Sequence, residues 1–136
     1  MQLKITTDYA IRTIVYLASR KEITNSADIA GTMGIPQKYL INILRILAAE
    51  GLVASHSGKN GGYTLEKPAT EITLYDVIEP VESTLKLNRC LEDDEYCSRF
   101  ATKTCPVRRA YLGMQEMWET FLRSKTIQNL LDESDT

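Results

Sequence analysis

The most regular pattern in this chain lies between Ile35 and Leu65. Leu40, Ile43, Leu44, Leu47 and Ala48 recur at helical spacing and predict one buried face. Pro36 stands in the first turn, where its missing N–H costs nothing, and Gly51 follows as a stop. The opposite face carries Gln37, Lys38, Ile41, Asn42 and Arg45, with Tyr39 beside them. An amide can read adenine, an arginine guanine, and isoleucine a thymine methyl. Taken alone, the helix is equally an amphipathic surface helix with a solvated face. The next residues change that. Leu52-Val53-Ala54 and Tyr63-Thr64-Leu65 read as extended runs around Ser57 to Gly62, where Asn60-Gly61-Gly62 supplies the positive φ values of a tight reversal. A helix followed by such a wing is a way to put a helix in a DNA major groove and a loop against the backbone. Lys59, Asn60 and Gly61 at the tip, and Arg12 near the start of the chain, join the candidate DNA contacts. His56 reads as an ordinary polar strand residue.

Upstream, Thr6-Thr7-Asp8 predicts a capped, acidic start for a helix over Tyr9 to Ala18. Its apolar residues cover most of its surface, so it is expected to be buried on more than one side, part of it against a second subunit. Asn25-Ser26 caps a short helix that Gly31-Thr32-Met33-Gly34 is expected to break, completing a helix-turn-helix pattern. Downstream, Thr73 caps a short helix from Leu74 to Glu79. Glu82 to Thr104 shows no sustained apolar period, and a stretch of that length needs something other than a core to order it. From Pro106 a long helix carries Val107, Ala110, Tyr111, Met114, Met117, Trp118, Phe121 and Leu122 as a wide stripe, with Arg108, Arg109, Gln115, Glu116, Glu119 and Arg123 assigned to the polar side. The stripe is read as a dimer seam packed on its symmetry mate and on the N-terminal helix; the plain alternative is a helix that closes the monomer core. Ser124 to Leu131 forms a last helix, and Asp132–Thr136 an acidic, fraying tail.

The fold expected is mostly α with a small β-wing: a winged helix-turn-helix plus a long C-terminal dimerisation helix. Three regions follow: a DNA-binding domain over 1–80, a cysteine-bearing sensor loop over 81–105, and the dimerisation helix and tail over 106–136. With 136 residues and 43% hydrophobic content, one core suffices. No apolar run reaches membrane-spanning length, and the N-terminus lacks a signal-peptide core, so a cytoplasmic location is expected. The net charge of −2 does not suggest a nucleic-acid partner. Its distribution is more telling: residues 1–67 hold eight Lys/Arg against five Asp/Glu, a balance of +3, and residues 68–136 hold eight against thirteen, a balance of −5.

All three cysteines, Cys90, Cys97 and Cys105, fall in the unpatterned stretch, spaced C-x6-C-x7-C. An odd number in a cytoplasmic chain argues against a disulfide framework, and the spacing is too wide for a zinc knuckle pair. Three readings stay open: unrelated thiols, a thiol redox switch, or a metal or iron–sulfur site whose thiolates fix the loop. Arg89, Arg99, Lys103, Arg108 and Arg109 could stabilise thiolates, and Glu92-Asp93-Asp94-Glu95 is expected to face water. Three thiolates leave one cluster iron needing another ligand. No nucleophile–base pair, phosphate loop or carboxylate dyad marks an enzyme.

Taken together, MQLKITTDYAIR, GIPQKYLINILRILAAEGLV, SGKNGGYTLEKPATEITLYDVIE and the cysteine trio before the last long helix resemble the Rrf2 family of bacterial winged-helix regulators, of the IscR/NsrR type, over nearly the full length. The resemblance implies a homodimeric transcription factor with a swapped-over long helix, bound to a double-stranded DNA operator. It also implies that Cys90, Cys97 and Cys105 ligate an iron–sulfur cluster, 2Fe–2S or 4Fe–4S. Iron–sulfur biogenesis regulators of the family place a histidine three residues beyond the last cysteine; Arg108 stands there instead. Nitric-oxide-sensing members place an aspartate near the start of the first helix, reaching across from the other subunit, and Asp8 matches that position. Members without a cluster respond through protein partners, and the intact trio argues against that group. The function expected is a DNA-binding regulator, a repressor, whose operator affinity is set by the cluster in response to nitric oxide, redox state or iron supply. The competing class is a thiol-based redox or electron-transfer protein that does not bind DNA.

Overall fold

The computed structural model describes residues 2–134. Six α-helices, two strands and two single 3-10 turns follow one another: α1 (Ile5–Ser19), α2 (Ser26–Met33), α3 (Gln37–Ala49), β1 (Val53–His56), β2 (Gly62–Leu65), a turn at Ala69–Glu71, α4 (Leu74–Ile78), a turn at Arg89–Leu91, α5 (Pro106–Ser124) and α6 (Ile127–Ser134). This is the mostly helical fold with a small wing that the pattern predicts.

α1 is the hub of the core. It packs on α2, α3, α4, α6 and β2 and buries Thr7, Ala10, Thr13, Ile14 and Leu17. It starts earlier than its hydroxyl cap suggested. Lys4 is the cap residue, with no side-chain bond, and its carbonyl accepts from the Thr7 and Asp8 amides. Thr7 cannot cap because it lies inside the helix, where its hydroxyl donates to the Glu82 carboxylate. Thr13 satisfies its buried hydroxyl on the Tyr9 carbonyl at 2.8 Å.

Asn25 caps α2 by accepting from the Asp28 amide at 2.8 Å. The helix is not broken at Gly31 as expected but continues to Met33, because Gly34 alone supplies the left-handed stop, at φ 67°. α3 behaves as its stripe predicts: Leu40, Ile43, Leu44 and Leu47 are buried, whereas Ala48 at the margin is exposed. Its end is a Schellman motif. Gly51, at φ 73°, donates to the Ala48 carbonyl, and the Leu52 amide donates to Leu47.

The wing pairs Val53 with Leu65, Ala54 with Thr64, Ser55 with Tyr63 and His56 with Gly62, antiparallel. It is also tied to the helices, which the sequence pattern did not foretell. Thr24, just before α2, exchanges both backbone hydrogen bonds with Tyr63, at 3.1 and 2.9 Å. His56 is exposed and meets Thr64 Oγ1 at 2.9 Å.

A reciprocal capping box between Thr73 and Asp76 opens α4. The chain then leaves the core until α5 and returns through α6. Thr73 bridges Thr126; the Leu74 amide donates to Lys125, and the Ile127 amide to Ile72. Thr126 and Asn129 cap each other, so the last helix starts at Ile127 rather than Ser124 and runs on to Ser134. The rest of the anticipated fraying tail lies outside the described residues. Ile127 is fully buried in the core beside α1.

Gly62 is where the wing backbone touches the Thr24 segment. A Cβ there would lie 2.5 Å from the Thr24 carbonyl oxygen. Gly62→Ala should therefore destabilise the domain by about 2 kcal/mol in thermal melts, as overpacking against backbone does. Gly31→Ala, whose Cβ meets nothing within 4 Å inside α2, should instead stabilise by up to ~1 kcal/mol.

Candidate nucleic-acid interface and cysteine cavity

Every candidate on the outer face of α3 is exposed: Gln37, Lys38, Tyr39, Ile41, Asn42 and Arg45. The face is organised rather than loose. Gln37 donates from Nε2 to Ser26 Oγ at 2.8 Å, fixing the start of α3 on the start of α2. Arg45 reaches Asn42 Oδ1 at 3.4 Å. The Lys38 ammonium sits over the Tyr39 ring at 5.1 Å, and that ring lies 6.3 Å from Tyr9 of α1. At the wing tip Lys59 and Asn60 are exposed, and Gly58 turns the chain at φ 104°. Gly61 cannot carry a side chain, because a Cβ would collide with the His56 carbonyl.

Arg12 stands apart from the other candidates. Its guanidinium pairs with Asp8 at 2.7 Å, donates to the Met33 carbonyl at 3.1 Å and lies over the Tyr9 ring. A cation at the C-terminal end of α2 complements that helix's dipole. Within one chain, then, Asp8 and Arg12 are partners of each other, joining α1 to the turn before α3.

Between the wing and the start of α2 lies a polar cleft of about 370 Å³, lined among others by Asn25, Ser26, His56, Ser57 and Gly61. Sequence reasoning missed Ser26 and Ser57 as candidates. Short hydroxyl residues leave no periodic signal, and only the fold brings α2 and the wing together.

The three cysteines line one cavity of about 270 Å³, shared with Arg89, Tyr96 and Arg108. All are half-buried and free of disulfides. Each sulfur has N–H donors near it. Cys105 is the cap residue of α5 and accepts from the Arg108 amide at 3.4 Å. Cys90 accepts from Asn88 Nδ2 at 3.4 Å. The backbone amides of Ala101 and Arg99 hold the Cys97 thiol below its usual value, with lesser help from Phe100 and the Arg99 charge, against desolvation that raises it. Hydrogen bonds to sulfur are what a metal-bound thiolate takes from its surroundings. The donors near the sulfurs thus suit a thiolate-held group in type. The sulfurs do not converge into a ligand set, however: the described residues contain no group of three or more His, Cys, Asp or Glu side chains placed to hold a metal.

The neighbouring charges correct one expectation. Arg89 and Arg108, thought to serve the thiolates, are engaged by the acidic run. Arg89 makes two hydrogen bonds to Asp94, which lowers the Asp94 carboxyl and raises the Arg89 guanidinium. Arg108 donates to Glu95 at 3.3 Å and to the Cys90 carbonyl at 3.2 Å. Asp93, Asp94 and Glu95 are exposed as anticipated, whereas Glu92 is half-buried and accepts from the Thr84 hydroxyl at 2.6 Å; Asp94 and Glu95 also brace the loop.

α5 divides the long stripe in two. Val107, Ala110, Met114, Met117 and Phe121, spaced three and four apart, are exposed, Met117 at 76% and Phe121 at 54%. Tyr111, Trp118 and Leu122 turn toward the chain's own body. Gln115, assigned to the polar side, is instead buried at 4% exposure. An i, i+3, i+7 row of exposed apolar side chains has the spacing of a coiled-coil seam.

A helix-turn-helix with an exposed, polar second helix and a wing defines a DNA-binding regulator. The profile of the Rrf2 family, described as an iron-dependent transcriptional regulator, matches residues 3–133, and the chain belongs to that family. Its members are DNA-binding transcription regulators and not enzymes. Among solved structures, CymR (YrzC), the global cysteine regulator of B. subtilis, is similar at 24% identity and TM-score 0.81, covering 98% of each chain. IscR of T. potens is similar at 21% identity and TM-score 0.79, covering 98% of this chain and 88% of that one. The oxidized form of Staphylococcus aureus CymR shows 21% identity and TM-score 0.74, over 96% and 95%. At these identities the structures establish the shared fold. No helix among the described residues is long and apolar enough to cross a membrane.

The lowered Cys97 thiol gives a direct test. A depressed value means more thiolate at a given pH, so alkylation of Cys97 in metal-free protein should reach its half-maximal rate at lower pH in the native state than in urea. Equal midpoints, read by mass spectrometry of the labelled peptide, would contradict the backbone-amide account.

Proposed function

We propose that this protein is a homodimeric transcriptional repressor whose operator affinity is set by an iron–sulfur cluster held by Cys90, Cys97 and Cys105. The observation that carries this reading is the common cavity of the three cysteines, at a loop that ends in the cap of α5. Cys105 joins the loop to the helix directly, so a rearrangement that draws the sulfurs together moves the start of α5. When bound, the cluster would supply a redox-active centre open to attack at a weakly held iron. Asp8 of the partner subunit is the proposed fourth ligand, and taking that role requires it to leave Arg12.

The exposed row Val107, Ala110, Met114, Met117 and Phe121 forms the proposed dimer seam, which sets the spacing of the two copies of α3. Gln37, Lys38, Tyr39, Ile41, Asn42 and Arg45 are the proposed groove contacts; Lys59, Asn60 and Gly61 meet the backbone, with Arg12 behind the start of α3. Gln37 exchanges Ser26 for a base edge at no net loss of hydrogen bonds. The three regions, 1–80, 81–105 and 106–136, then act as reader, sensor and dimer element. A ligand shifts an equilibrium only by its differential affinity for the two states, so loaded and metal-free protein must differ in the order of the loop.

A metal-free thiol switch is the second reading, favoured by the depressed Cys97 thiol. Anaerobic reconstitution with iron and sulfide, followed by absorbance and by operator selection with both forms, separates the two. A colourless protein whose cysteines oxidise in pairs supports the switch; a coloured one with no DNA affinity would leave an electron carrier. On a selected inverted-repeat operator, Lys59→Ala should weaken binding to all sequences and lower the salt slope by about 1. Arg45→Ala should cost about 1–3 kcal/mol and relax preference at one base position only. An unchanged slope in the first, or uniform weakening in the second, goes against these assignments.

A further inference from the structure

The segment from Glu82 to Asn88 runs from the end of the reader to the first cysteine without regular structure. Its polar groups are held from two sides. At its start, the Glu82 carboxylate accepts from the Lys4 amide at 3.2 Å, at the cap of α1, and from the Thr7 hydroxyl in its first turn. At its end, the amide of Gln115 does what a neighbouring strand would do. Gln115 Oε1 accepts from the Leu87 amide at 2.8 Å, and Gln115 Nε2 donates to the Leu85 carbonyl at 2.9 Å. The same nitrogen reaches Glu119 at 3.2 Å, and Lys86 pairs with Glu119 at 3.8 Å. Gln115 and Leu122 are the two buried residues of α5. A buried amide with both ends bonded is hard to release, because each lost bond strands a desolvated group. Three residues beyond Leu87 stands Cys90, whose sulfur and carbonyl are held by Asn88 and Arg108.

We propose that Gln115 is a positioning residue that locks this strap onto α5, so that a change at Cys90 is delivered to the dimer helix and, through Glu82, to α1. From α1 the contacts continue to the DNA face: Tyr9 meets Tyr39, and Arg12 holds the Met33 carbonyl ahead of α3. The strap thus has one end on α1, which packs on the recognition helix, and the other on α5, the proposed dimer helix. The regulatory role rests on the function proposed above; the lock itself does not, and it is tested separately.

The experiment compares wild type with Gln115→Leu, which keeps the size and removes both bonds. In metal-free protein, hydrogen exchange at the Leu87 amide should accelerate about tenfold or more, and iodoacetamide should alkylate Cys90 about fivefold faster relative to Cys105. A residue that merely fills space would lower the melting temperature and leave both rates alone, which would overturn the lock. In iron-loaded protein, the iron content should persist, while the ratio of operator affinities between loaded and metal-free forms should contract about fivefold or more. An unchanged ratio overturns the role in coupling. If wild type takes up no iron, or binds operator equally in both forms, the proposed function fails and exchange and alkylation alone judge the lock. Should Gln115→Leu not fold, Gln115→Glu keeps the acceptor for Leu87 but loses the donor to Leu85. It should then leave the Leu87 amide slow and still speed alkylation of Cys90, and an unaltered Cys90 rate again overturns the lock.

Discussion

A stretch that buries almost nothing apolar must be held by polar contacts or not be held. Of residues 82–105, Leu91 alone is buried. The rest are held by polar contacts, some within the loop, as between Arg89 and Asp94, and some from elsewhere: Thr7 and the Lys4 amide on Glu82, Gln115 on Leu85 and Leu87, Arg108 on Cys90 and Glu95. Such contacts contribute little each, since a protein hydrogen bond nets only about 1 kcal/mol. A loop held this way opens and recloses more readily than a packed core. That suits a segment asked to report on its surroundings. Phe100, 92% exposed at φ 55°, and Glu95 at φ 47° show how weakly packing dictates its shape.

The reader is built on the opposite principle. α1 supplies Ala10, Ile14 and Leu17, α3 supplies Leu40, Ile43, Leu44 and Leu47, and α4 and α6 close the set with Val77 and Ile127. A close-packed core is bistable at most, not continuously deformable. Displacements of the sensor loop therefore reach α3 as movements of whole elements. α1 is the natural carrier, because it touches the loop through Thr7 and the recognition helix through Tyr9.

How much of this could be read in the sequence depends on which force dominates each element. The α3 stripe, the Gly51 stop and the existence of the wing are legible because apolar periodicity and positive-φ glycines act locally; its register comes from the fold. The absence of a core between Glu82 and Thr104 was legible for the same reason. The start of α1 was misjudged because a threonine that resembles a cap is used as a long-range donor to Glu82. Gln115 was placed on the polar side because a composition rule sends amides outward, whereas this one replaces a missing strand partner. The division of the α5 stripe needed the fold, since only the position of the strap decides which half is covered. The cysteine spacing drew attention to the loop, but only the three-dimensional arrangement brings the sulfurs to one cavity, with Arg108 at its wall.

Transmission from the cysteine cavity through the strap to two helices is what the proposed regulation requires. Hydrogen exchange, compared peptide by peptide between iron-loaded and metal-free protein, addresses that directly. The account predicts slower exchange on loading in residues 90–105 and, in step with it, at Leu85 to Leu87, the first turn of α1 and the first two turns of α5. Protection confined to residues 90–105, with the strap and both helices unchanged, would contradict it.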